Sequence, residues 1–160
     1  RQRMAEKFIT FKANGKEVTV AVKPGEMLAD VLREKLGLTG TKIGCREGEC
    51  GVCSMIMDGK LVLSCIIPAM KAHGTSIITI EGLEKNGELH TIQMKFVEKG
   101  AIQCGFCTPA MVLVGKVLLD ENPKPTRDEI KTAISGILCR CTGYQKIIEA
   151  IQSASEEETR

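Results

Sequence analysis

The chain has 160 residues, 43% hydrophobic and 26% charged, enough for one ordinary core or two small ones and outside the composition range of disordered chains. Its 22 basic and 20 acidic residues leave a formal charge of +2 without a long basic run, and with no Trp and one Tyr there is neither an electrostatic footprint nor a stacking platform for nucleic acid. The longest apolar stretch, Ala110 to Leu119, is interrupted by Lys116 and falls well short of the roughly 20 residues that cross a bilayer, so no membrane partner is expected.

Arg1 to Lys7 lacks the apolar segment and cleavage site of a secretory signal, which places the expected location in the cytoplasm. Met4 fits a natural start, with Arg1, Gln2 and Arg3 as an upstream extension or remnant. Ile9 and Phe11 alternate with polar residues, Asn14-Gly15 supplies a turn, and Val18, Val20 and Val22 alternate again, which predicts a β-hairpin. Leu28, Val31, Leu32 and Leu36 then fall on one helical face, with Gly37 placed for a left-handed cap. A second hairpin is expected around Asp58-Gly59, flanked by Met55 to Met57 and Leu61 to Leu63, and a further strand over Ile77 to Ile80.

The polar run Glu84 to His90 reads as a linker, dividing the chain into residues 1–83 and 84–160. Beyond it the apolar period becomes helical. Ile92, Phe96 and Val97 mark one helix; Pro109 opens another that runs to about Asp120. Thr126-Arg127-Asp128-Glu129 is a capping box for a third, and a fourth starts near Tyr144. Four short helices with short connections predict an antiparallel four-helix bundle, and the acidic tail from Glu156 is expected to fray. The fold class is therefore α+β, a small mixed sheet of the β-grasp ferredoxin type followed by an all-α half.

The chemistry is concentrated in eight cysteines, which fall into two sets of four with none left over. Cys45, Cys50, Cys53 and Cys65 follow C-x4-C-x2-C-x11-C, and Cys104, Cys107, Cys139 and Cys141 follow C-x2-C-x31-C-x-C. The first spacing opens like that of plant-type 2Fe-2S ferredoxins, with a nearer fourth ligand. Three thiolates within nine residues force the loop to turn repeatedly, and Gly44, Gly48 and Gly51 make that possible while letting N–H groups approach anionic sulfur. In the second set Cys104 and Cys107 end where one helix begins, and Cys139 and Cys141 precede another. Two helix N-termini are thus expected to face one anionic centre.

Other readings stay open on the residues alone. Disulfides suit neither spacing nor a reducing compartment. Structural zinc would hold the fold together equally well, but zinc sites usually pair short C-x2-4-C knuckles. His73 and His90 are expected to be exposed loop residues outside both sets, and the seven methionines to be filler.

The runs GCREGECGVC (Gly44 to Cys53), QCGFCTPAM (Gln103 to Met111) and LCRCTGYQKI (Leu138 to Ile147) resemble the small iron–sulfur subunit of molybdenum-containing hydroxylases, the xanthine dehydrogenase and carbon monoxide dehydrogenase family, from about Ile9 to Ile151. The resemblance implies a β-grasp domain with one 2Fe-2S cluster and a four-helix domain with another, in a subunit that has no substrate chemistry of its own. It implies a large partner subunit carrying molybdenum-pterin and a medium partner carrying FAD, in a hetero-oligomer of which a dimer of heterotrimers is one form. Single electrons would pass from molybdenum to the set at Cys104, then to the set at Cys45, then to FAD, with Gln103 and Cys141 touching the pterin. Ile137 stands where the family usually has asparagine, and Ala110 where it usually has glycine; neither removes a ligand.

Overall fold

A computed structural model describes residues 5–158, with the backbone alone at Glu158. The expectations for Arg1 to Met4, and for the last two residues of the tail, lie outside the described residues.

The first hairpin pairs β1 (Lys7–Ala13) with β2 (Lys16–Val22) in antiparallel register from Lys7 opposite Val22 to Ala13 opposite Lys16. Its two-residue turn closes because Asn14 and Gly15 both take positive φ, 51° and 81°. Ile9, Phe11, Val20 and Val22 face inward and are buried.

The helix that follows starts as α1 (Leu28–Asp30) and continues as a π-helical turn over Val31–Lys35. Leu28, Val31 and Leu32 are fully buried as the apolar spacing required, while the wider winding carries the Leu36 N–H to the Val31 carbonyl. Gly37 follows at φ 68°.

The second hairpin, β3 (Ser54–Met57) and β4 (Lys60–Leu63), turns at Asp58-Gly59. The last strand is shorter than the sequence pattern suggests. β5 covers Ser76–Ile78, and Ile80–Gly82 winds into a 3-10 turn. Strand pairing stops because the Asn14 side chain takes over the Thr79 backbone: its Oδ1 accepts from the Thr79 N–H at 2.9 Å, and its amide donates to Thr79 Oγ1 at 2.9 Å. The sheet order is β2-β1-β5-β3-β4, with β5 parallel to β1 and antiparallel to β3.

Four helices follow: α2 (Thr91–Glu98), α3 (Thr108–Glu121), α4 (Arg127–Ile134) and α5 (Gln145–Glu158). The capping box at Thr126 and Glu129 forms as expected. His90 departs from the expectation of an exposed loop residue. It is half-buried and caps α2, its Nδ1 accepting from the Ile92 N–H while Gln93 bonds back to the His90 N–H. His73 is exposed, and its Nδ1 accepts from the Thr10 N–H at 3.1 Å. The tail does not fray at Glu156; α5 continues to Glu158, and Glu157 pairs with Lys95 of α2 at 2.5 Å.

Phe96, Met111, Leu113, Ile130, Ile147 and Ile151 form the core of the helical half. That core reaches into the sheet half, taking in Val52 and Ile56, so α3 packs directly on β3. Ile137 and Ala110 are both buried in it. Among the described residues, no helix is long and apolar enough to cross a membrane.

Candidate metal centres

The first cysteine loop lies between the π-helical turn and β3. The Cys45 sulfur sits in a fold of backbone, accepting from the N–H groups of Glu47, Glu49 and Cys50 at 3.4, 3.3 and 3.4 Å. These donors, that of Cys50 foremost, hold the Cys45 thiol down at about 6, against an ordinary value near 8.5. Arg46 is held at φ 60° between these turns, its guanidinium bidentate on Asp30 of α1 at 2.9 and 3.0 Å. A Cβ on Gly44 would stand 2.8 Å from the Cys50 sulfur, so a larger residue there would displace that sulfur.

Cys65 is carried to the loop by the second hairpin. Ser64 donates both its N–H and its hydroxyl to the Cys53 carbonyl, at 3.3 and 2.7 Å, which lays Cys65 against Cys53. Cys45 has Cys50 beside it, and Cys53 has both Cys65 and Cys50. Cys53 is nearly inaccessible, and burial, together with its neighbour Cys65, pushes its thiol up to about 11.

The second set is assembled from two distant segments. Cys107 is the N-cap of α3, and Cys104 lies in the loop before it. Cys139 and Cys141 come from the segment between α4 and α5. Cys107 has both Cys139 and Cys104 beside it, and Cys141 has both Cys104 and Cys139. Burial and the Cys139 contact push Cys107 up to about 12, and the contact with Cys104 raises Cys141. Burial also acts to raise Cys139, but the Thr142 hydroxyl at 3.0 Å and N–H at 3.4 Å outweigh it and lower the thiol.

Only α3 starts on a cysteine of the set; Thr142, Gly143 and Tyr144 separate Cys141 from the start of α5. Tyr144 had no role in the sequence reading. Its hydroxyl accepts from the Cys139 N–H at 2.8 Å, and its own backbone sits in the left-handed region at φ 68°. The available signal was a lone tyrosine in an aromatic-poor chain, three residues beyond a cysteine. Cys104, Cys141 and Gln103 are exposed, and Cys104 and Cys141 lie beside one another.

This donor set fits two two-iron centres. Each set offers four thiols, the number that a 2Fe-2S cluster takes. Burying several thiolates without compensating positive charge is unfavourable, as the raised Cys53 and Cys107 show, and bound iron would supply that charge.

Two family models cover most of the chain, a 2Fe-2S iron–sulfur cluster binding domain over residues 11–73 and a [2Fe-2S] binding domain over residues 79–152. The chain is 48% identical to the nicotinate dehydrogenase small FeS subunit of Eubacterium barkeri over 92% of its own length and 94% of the relative's. It is 47% identical to a probable xanthine dehydrogenase subunit of Bacillus subtilis, over 86% of this chain and 79% of that one. Its fold superposes on a chain of quinoline 2-oxidoreductase from Pseudomonas putida 86 with a TM-score of 0.93 and 46% identity, covering 97% of each.

Proposed function

The chain belongs to the small 2Fe-2S subunits of molybdenum-containing hydroxylases, and on that premise we propose that it relays single electrons between a molybdenum-pterin subunit and an FAD subunit. Cys45, Cys50, Cys53 and Cys65 would hold one 2Fe-2S cluster, and Cys104, Cys107, Cys139 and Cys141 the other. Each cluster, when bound, takes up and gives back one electron. The chain's own part is to hold the sulfurs rigidly, to donate N–H groups to them and to exclude water.

The observation that carries this reading is the gathering of the cysteines into two separate sets, each with sulfurs that accept backbone N–H groups. The two sets belong to two domains, residues 1–83 as a β-grasp unit and 84–160 as a four-helix bundle.

Gln103 and Cys141, both exposed, would meet the pterin on the exposed side of the second set. Beside that face runs a groove lined by Leu89, Val97, Ile102 and Pro109, the first three well exposed, which suits burial against the large subunit. A hetero-oligomer in the cytoplasm follows, with FAD received nearer the first set. Substrate choice rests on another subunit, since relatives named for nicotinate and for xanthine resemble this chain about equally.

Low-temperature EPR of the anaerobically isolated, dithionite-reduced protein tests the proposal. Two distinct S = 1/2 signals are expected, each integrating to about one spin per chain. A colourless, zinc-loaded and EPR-silent natural protein would sink it.

A further inference from the structure

A backbone hydrogen bond joins the segments that carry the two cysteine sets. The Leu138 N–H donates to the Cys50 carbonyl at 2.9 Å, so a single hydrogen bond and the backbone of Leu138 join Cys50 of the first set to Cys139 of the second. The approach is possible because of the next residue. A Cβ on Gly51 would stand 2.1 Å from the Gly136 carbonyl oxygen and 3.0 Å from the Ile137 Cα, and Gly51 also holds φ at 72°. Backbone cannot swing aside as a side-chain tip can. Gly136 carries no such restriction: a Cβ there meets nothing within 4 Å, and its φ is not positive. The requirement for glycine is one-sided.

We propose that Gly51 is a positioning residue that fixes the spacing between the two centres and keeps the Cys50–Leu138 hydrogen bond closed. This rests on the relay function proposed above. Gly51 adds no donor to either sulfur set; it acts by letting Gly136 and Ile137 come close enough for Leu138 to reach Cys50. The side chain of Leu138 is 59% exposed and its amide does the work, so the residue type at 138 should matter only through its N–H.

The test uses the full, cluster-loaded chain reduced with dithionite. Two quantities are read, the magnetic splitting between the two reduced centres in low-temperature EPR and the hydrogen exchange of the Leu138 amide. Gly136→Ala and Leu138→Ala should match the parent in both. Gly51→Ala should keep two signals, show a smaller splitting because dipolar coupling falls with the cube of the distance, and exchange the Leu138 amide at the rate of an open loop. Leu138→Pro removes the donor to the Cys50 carbonyl while keeping Gly51, should likewise reduce the splitting, and decides the matter where Gly51→Ala fails to load. Parental splitting in either disruptive variant, or a protected Leu138 amide in Gly51→Ala, would overturn the proposal, as would a parent with two signals and no splitting. A parent lacking two signals defeats the relay function instead, and the amide exchange still reports whether Gly51 sets the contact.

Discussion

The first cysteine set is wound by one loop and closed by one hairpin, whereas the second exists only because α3 and α4 pack and return Cys139 and Cys141 to Cys104 and Cys107. In the first, local backbone supplies three N–H donors to a single sulfur. In the second, the donors come from a hydroxyl and an amide of Thr142, and the loop is braced from beyond by Tyr144. A site wrapped by its own loop depends on local conformation; a site spanning two helices depends on the core beneath it. The two should therefore fail differently.

The largest effect comes from the ligands. Cys53→Ser is expected to remove the first EPR signal and leave the second, and Cys107→Ser the reverse, each variant losing about half its iron as counted by elemental analysis. Loss of both signals in either variant would break the comparison.

Next in size is the core. Phe96 is 1% exposed in the helical half, and Phe96→Ala should cost about 3–5 kcal/mol in a denaturant titration. The second signal should be depleted before the first, because Phe96 packs in the cluster that holds α3 and α5.

Tyr144→Phe leaves the Cys139 N–H without its acceptor, which should cost about 1–3 kcal/mol and shift the lineshape of the second signal only. Equal shifts in both signals would mean that Tyr144 acts on the fold rather than on the second loop.

The smallest effect is at the start of α4. The Thr126 N–H, followed by its hydroxyl, donates to the Glu129 carboxylate and holds it below the usual carboxylate range. A depressed folded value means that this stabilisation is present above the unfolded pKa of about 4.3 and is lost as pH falls through the folded one. The thermal midpoint of the parent should thus drop more than that of Glu129→Gln on acidification below about pH 4, measured by circular dichroism.

Much of this was legible in the chain. The Asn14-Gly15 and Asp58-Gly59 turns and the capping box at Thr126 are local signals, and each appears where the pattern places it. Others were misread for physical reasons. Ile80 continued an apolar run but left the sheet, because Asn14 captured the Thr79 backbone from across the sheet half. His90 looked like a linker residue and is a cap, since an imidazole nitrogen can accept from a helix N-terminus much as a carboxylate does. The π-helical winding at Val31–Lys35 leaves the same apolar face inward and so gave no sequence signature. Glu157 is held in α5 by Lys95, a partner far away in sequence.

The hairpin turns, the capping box and the turns of the first cysteine loop were determined by the sequence itself, because they depend on residue type and on spacings of a few bonds. Which thiol meets which, the burial that raises Cys53 and Cys107, the bracing of Cys139 by Tyr144 and the approach of Gly51 to Gly136 were decided only in the tertiary structure. Each of these joins atoms from separate segments, and their distance is set by how the helices and the sheet pack rather than by the chain between them.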